Sequence, residues 1–155
     1  MPNFDEAFSG SMARVLGNGA YNPAFIRSFY DIFLETSPAV ARKFENTDMS
    51  AQRTMLHDSL LMMVEFNKTR NPSPALQQLA NSHSRRVHDV TPEFYDLWLD
   101  SLIAAVSRHD PEFNDTADLA WRIALAPGIT YMRFDYWSNQ AIRGSMPASG
   151  MPRRG

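Results

Sequence analysis

The residue whose type and position most clearly suggest chemistry is His83, which lies on an apolar stripe. Leu76, Leu79 and Ala80 precede it by seven, four and three positions. This spacing places the four side chains on one face of a helix, so the imidazole points to the side that should be buried. A buried imidazole is unfavourable unless its ring nitrogens have partners. His83 is therefore either a hydrogen-bonded core histidine or a metal ligand.

If His83 binds a metal, one ring nitrogen coordinates it and the other donates a hydrogen bond that fixes the tautomer. The hydroxyl of Ser82 is a candidate acceptor for that second bond. No other ligand lies at the spacing of a zinc site, and the chain contains no cysteine. A metal with one protein ligand must bring most of its own coordination, as the iron of haem does. The residues alone leave both interpretations open.

The elements that must position His83 are helices, because almost every segment has helical periodicity and no long alternation indicates a sheet. The predicted helices run from Phe4 to Leu16, from Pro23 to near Thr36, from Ser37 to Phe44, from Ser50 to the break at Asn71-Pro72-Ser73-Pro74, from Pro74 to about Arg85, from Thr91 to Asp110, and from Asn114 or Asp115 to about Ile142. We therefore expect an all-α domain of seven or eight helices over residues 1–143 and a disordered tail at residues 144–155.

Length and composition limit the possible functions. With 155 residues, the chain is long enough for one domain with a substantial core and too short for two ordinary ones. A net charge of −2 argues against nucleic-acid binding, which requires an excess of lysine and arginine on one face. Residues 1–10 are acidic and contain no apolar run, so we expect no signal peptide, and the longest apolar stretch, Leu60 to Val64, is too short to cross a bilayer. We expect a cytoplasmic protein that binds neither nucleic acid nor membranes.

A series of motifs resembles the globin family, and especially the bacterial branch that contains the flavohaemoglobins and their single-domain relatives. In that branch these motifs belong to the second helix and its corner, the distal helix, the proximal helix with the corner after it, and the last helix. The matching segments are Phe29–Phe33, Ser37-Pro38, Phe44, Gln52-Arg53 with Leu56, Leu79–His83, Val90–Tyr95 and Ala120-Trp121. Together they cover roughly residues 22–142.

The resemblance implies a globin fold whose helices surround a pocket for haem b, with His83 as the protein ligand to the iron. The haem contacts that it implies are Phe44, Leu56, Leu79, His83, His88 and Tyr95. Among these, Phe44 takes the role of an aromatic wedge on the haem. His88, with Arg85 and Arg86, stands in a basic corner that either pairs with the haem propionates or is simply solvated.

On the distal side, the resemblance implies that Tyr30 and Gln52 donate hydrogen bonds to the gas ligand. Oxygen on ferrous iron carries negative charge, so a hydroxyl or amide donor stabilises it. Leu56 is the apolar gate beside them. His57 is a rival distal donor. It lies five residues beyond Gln52, so its side chain projects from a different face of the helix than that of Gln52.

The sequence departs from the family pattern in three places. The corner between His83 and Pro92 is two residues longer than in most relatives. Flavohaemoglobins support the proximal histidine with a tyrosine and a glutamate, and here Tyr95 is accompanied only by Asp135 or Tyr136 near the glutamate position. Finally, Pro127-Gly128 lies inside the last helix, where proline should cause a kink.

The resemblance favours a binding protein that reversibly takes up oxygen, and also NO or CO, rather than an enzyme. One alternative is a nitric oxide dioxygenase that works with a separate reductase, because the chain shows no reductase module. Another is a gas or redox sensor module, and a fourth is a globin fold without haem. The protein is expected to be a monomer or a homodimer.

Overall fold

Prolines and capping residues divide the chain into helices. The structure, a computed structural model, describes residues 1–17 and 19–137. These residues form seven α-helices and no strand: α1 (Phe4–Leu16), α2 (Pro23–Phe33), α3 (Pro38–Lys43), α4 (Met49–Thr69), α5 (Pro74–Ser82), α6 (Pro92–His109) and α7 (Asp115–Trp137). The predicted all-α class is confirmed. The domain end predicted at residue 143 and the tail at 144–155 lie outside the described residues.

Helices α3 and α6 are each one residue shorter at both ends than predicted, and three other boundaries differ in more informative ways. Helix α4 begins before Ser50 because the carboxylate of Asp48 accepts the backbone N–H groups of Ser50 and Ala51, at 3.0 and 3.3 Å. An aspartate at that position satisfies the donors that the first turn leaves free. Helix α2 ends at Phe33 instead of near Thr36, and α5 ends at Ser82 instead of near Arg85. The early end of α5 places His83 at the C-cap.

The two longest helices, α4 and α7, pack against each other. Helix α7 also packs against α1, α2 packs against α6, and α5 packs against both α4 and α7. Fully buried large side chains hold this arrangement, each worth about 1.5–3 kcal/mol of burial. They include Phe25, Phe29, Leu60, Leu76 and Trp121. Helix α5 is thus fixed on two sides, which gives His83 a rigid base. None of the described helices is both long and apolar enough to cross a membrane.

Helices α4 and α7 come very close together at Gly128. A Cβ atom at this position would lie 2.8 Å from Cγ and 3.0 Å from Cβ of Met63. Helix α7 continues through Pro127 to Trp137, although Pro127 has no N–H to donate. Because the atoms that Gly128 approaches are near the backbone of α4, Met63 cannot easily move aside. The glycine is needed for the close approach of these two helices.

We expect Gly128→Ala to lower the free energy of unfolding by about 1–3 kcal/mol, the usual cost of overpacking a core. Gly10→Ala is the matched control, because its Cβ would meet only the flexible end of Arg14, at 3.3 Å. That change should cost less than Gly128→Ala, because the preference for alanine over glycine inside helices, about 0.5–1 kcal/mol, offsets the small shift that Arg14 must make. Urea unfolding of the two variants measures both effects. A Gly128→Ala variant as stable as Gly10→Ala would show that Met63 yields freely.

Candidate functional site

A largely apolar cavity opens between the helices at the end of α5. Its empty space, including the open mouth, amounts to about 780 Å³. Aromatic and aliphatic side chains form most of its walls, among them Phe33, Val40, Phe94, Trp98 and Met132. Apolar walls with a few polar groups among them are typical of a binding site for a largely apolar ligand.

His83 lies in the wall of this cavity, and its hydrogen bonds involve only one ring nitrogen. Nδ1 is 2.9 Å from the backbone carbonyl oxygen of Leu79 and 3.1 Å from Oγ of Ser82. A carbonyl oxygen can only accept, so the proton of the ring is on Nδ1 and the lone pair is on Nε2. The hydroxyl of Ser82 itself donates to the Leu79 carbonyl, at 2.8 Å. The principal acceptor is therefore the carbonyl of Leu79, which the sequence analysis did not identify.

Burial lowers the pKa of His83 to about 4, although the hydrogen bond to the Leu79 carbonyl acts in the opposite direction. The imidazole is accordingly neutral at neutral pH, and the Nε2 lone pair is not blocked by a proton. A neutral imidazole whose other nitrogen donates to a carbonyl is the arrangement in which histidine binds metals. Among residues 1–17 and 19–137, no group of three or more metal-binding side chains occurs. His83 thus fits a metal that needs a single protein ligand, as haem iron does.

Tyr30 and Gln52 also line the cavity, and they are bonded to each other. The side-chain amide of Gln52 donates to the hydroxyl oxygen of Tyr30 at 3.1 Å. The Tyr30 hydroxyl in turn lies 3.4 Å from the backbone carbonyl oxygen of Gln52, which is a long bond. Burial raises the pKa of Tyr30 to about 12, so the phenol keeps its proton at neutral pH. Its O–H is weakly engaged and therefore able to turn toward a ligand.

Four of the five other residues expected around the cofactor line the cavity, and His88 does not. Phe44, Leu56, Leu79 and Tyr95 all belong to its walls. The ring of Phe44 packs edge-on against Tyr30, with the ring centroids 5.9 Å apart. The same cavity is therefore lined by Phe44, by Leu56 and by the pair Tyr30 and Gln52, as the resemblance implied.

His88 is exposed and is not part of the cavity wall. In the corner after α5 its backbone carbonyl accepts a hydrogen bond from Lys43, whereas its side chain lies outside the cavity wall. The neighbouring Arg85 and Arg86 are exposed as well. The geometry therefore favours the interpretation of this corner as solvated, and it does not support a cofactor contact from the His88 side chain.

His57 does not reach the cavity. Its side chain is buried, and its ring packs edge-on against Tyr21 with the centroids 5.5 Å apart. This agrees with its position five residues after Gln52, which directs it away from the face that lines the cavity. Of the two rival distal donors, only Gln52 faces the cavity.

Near the expected support of the proximal histidine, Asp135 and Tyr136 take different positions. Asp135 is buried, and its negative charge helps to raise the pKa of Tyr95, after burial as the main cause. Tyr136 instead donates to the carboxylate of Asp89 in the corner after α5. Asp135 is therefore the acidic residue close to Tyr95, and Tyr136 fixes the corner.

Of the wall residues that the sequence analysis did not assign to the site, Lys43 is the charged one. Lys43, the last residue of α3, lines the cavity, and its Nζ donates to the backbone carbonyls of His88 and Asp89 at 3.0 and 2.9 Å. The sequence held no signal for this role, because it depends on contacts with two residues that lie 45 and 46 positions further along the chain.

The helices surround an apolar cavity that has a neutral imidazole on one wall and a phenol–amide pair on another, which is an arrangement typical of globins. The chain matches the family model described as Globin over residues 27–131, and it belongs to the globin family. This family binds haem, and the residues described above fit that cofactor. The predicted globin fold is confirmed.

The chain is also similar to a solved structure. This is the crystal structure of a protein from Pseudomonas aeruginosa PAO1, described as structurally highly homologous to a human hemoglobin. The two share 35% sequence identity with a TM-score of 0.75, and the match covers 86% of this chain and 98% of that one. No curated protein matches the chain significantly.

The hydrogen bond to Leu79 predicts one tautomer for His83 in protein prepared without haem. At pH 7, the ¹⁵N chemical shifts of its ring should show a proton on Nδ1 and none on Nε2. Ser82→Ala should leave this pattern unchanged, because the Leu79 carbonyl remains as the acceptor. The exposed ring of His88 serves as an internal comparison in the same spectrum. A proton on Nε2, or a charged ring at pH 7, would contradict the arrangement.

Proposed function

We propose that this globin binds haem b through Nε2 of His83 and that its function is the reversible binding of oxygen. The observation that carries the proposal is the bond between Nδ1 of His83 and the Leu79 carbonyl, because it leaves the Nε2 lone pair free in the wall of an apolar cavity. Phe44, Leu79 and Tyr95 would hold the porphyrin by packing. When bound, ferrous haem supplies the iron that takes up a diatomic gas.

The role of the distal residues follows from their protonation and their mutual bond. Tyr30 is a buried, neutral phenol, so its O–H can donate to a gas ligand that carries partial negative charge. The amide of Gln52 donates to the same oxygen of Tyr30, which polarises the phenol and makes it a stronger donor. Leu56, only 3% exposed, excludes water from this side of the cavity. The chain thus offers one direct donor, Tyr30, supported by Gln52.

The first test is the visible spectrum after addition of haemin and removal of the excess by desalting. Wild-type protein should retain stoichiometric haem with a Soret band, and His83→Ala should lose it because no other ligand replaces the imidazole. His88→Ala should retain haem like the wild type, since its side chain is exposed. Wild-type protein that stays colourless would refute haem binding, and haem retained equally by His83→Ala would refute the ligand assignment.

The second test is the rate of oxygen release from the reduced, loaded protein. Tyr30→Phe should speed release roughly tenfold, the equivalent of ~1.4 kcal/mol, because it removes the direct donor. Gln52→Leu should have a smaller effect in the same direction, because Gln52 acts through Tyr30. Stopped-flow displacement of oxygen by CO measures these rates. An unchanged rate in Tyr30→Phe would show that this hydroxyl does not face the gas.

A second candidate function is nitric oxide dioxygenation with electrons from a separate reductase. The same Tyr30–Gln52 pair favours it, since tight retention of oxygen until NO arrives requires a strong distal donor. Sustained NO consumption in the presence of a reducing cell extract separates this activity from simple binding, which gives a single stoichiometric turnover.

A further inference from the structure

The mouth of the cavity carries a single positive charge. Among the described residues of the cavity wall, Lys43 is the only lysine or arginine. Its ammonium lies 5.9 Å from the centre of the Phe94 ring, which is itself part of the wall. Lys43 is exposed, so its charged end stands where the apolar interior meets solvent. A ligand for this cavity would therefore meet one cation at its outer edge.

The charge of Lys43 is not neutralised by a carboxylate in the described part of the chain. Its Nζ donates to two uncharged acceptors, the carbonyls of His88 and Asp89. The carboxylate of Asp89 accepts from the hydroxyl of Tyr136. In contrast, Arg14 and Arg122 elsewhere on the surface both form ion pairs with aspartates.

An ammonium group has three N–H donors, and the two carbonyls use two of them. The third remains for another acceptor without breaking the bonds to the corner. A carboxylate is the preferred partner, because a charge-assisted bond to it is stronger than a bond to a neutral group. The geometry around Lys43 thus has one donor and one uncompensated charge to offer a ligand.

We propose that Lys43 recognises a carboxylate of the bound tetrapyrrole at the mouth of the cavity. This inference rests on the proposed haem binding and adds the residue that distinguishes an acidic tetrapyrrole from a neutral one. It assigns the role to Lys43 in place of the exposed Arg85, Arg86 and His88, none of which lines the cavity. Lys43 then has two roles, because its ammonium also donates hydrogen bonds to the corner that follows His83.

The test compares haemin with haemin dimethyl ester, which has the same ring but no ionised carboxylates. Each pigment is loaded into the full-length protein, and its transfer to an excess of a haem-scavenging protein is followed by absorbance. Lys43→Met should speed the loss of haemin about tenfold and change the loss of the ester by less than about twofold. Lys43→Arg should restore slow loss of haemin, because arginine keeps the charge.

This comparison separates recognition from support of the corner. If Lys43 only holds the corner, Lys43→Met will speed the loss of both pigments equally, and the proposal is wrong. It is also wrong if Arg86→Gln, and not Lys43→Met, speeds the loss of haemin. Arg108→Gln, in the last turn of α6, controls for net charge and should leave both rates unchanged. Failure of the wild type to bind either pigment would instead refute haem binding itself.

Discussion

The hydrogen bond from Nδ1 of His83 to the carbonyl of Leu79 is the interaction on which the site depends. This carbonyl accepts three donors at the end of α5: the backbone N–H of His83 at 3.1 Å, Nδ1 at 2.9 Å and the hydroxyl of Ser82 at 2.8 Å. A carbonyl oxygen has two lone pairs, so it can accept side-chain donors in addition to a backbone N–H. The end of α5 therefore fixes both the rotation of the imidazole and its tautomer.

The corner after α5 extends this control from the imidazole to the mouth of the cavity. The N–H of Val90 donates to the carbonyl of His83 at 3.1 Å, so the corner is attached directly to the proposed ligand residue. Asp89 adopts a positive φ of 52° and is held on both sides, at its carbonyl by Lys43 and at its carboxylate by Tyr136. Lys43 of α3 and Tyr136 of α7 thus both donate hydrogen bonds to this corner. The extra length seen in the sequence is accommodated by these bonds.

The sequence was sufficient for the fold class and for the direction of His83, because both follow from periodicity. It was insufficient where a choice depends on tertiary contacts. Asp48 and Ser50 are equally good capping residues by type, and only the path of the preceding corner selects Asp48. Lys43 has the sequence context of an ordinary solvated lysine, and its role appears only when residues 88 and 89 are brought to it. The resemblance paired Tyr30 with Gln52, but it did not show which of them donates to the other.

The same physical cause sets the protonation of His83 and of Tyr30. Burial lowers the pKa of His83 to about 4 and raises the pKa of Tyr30 to about 12, since in each case the charged form is disfavoured. Between these values the imidazole presents a lone pair and the phenol presents a proton. An apolar cavity therefore offers a lone pair to the proposed iron and a hydrogen-bond donor to the proposed gas ligand without any charged side chain in its interior. The only charged side chain in its described wall is Lys43 at the mouth, where contact with solvent avoids the free-energy cost of desolvating the ammonium.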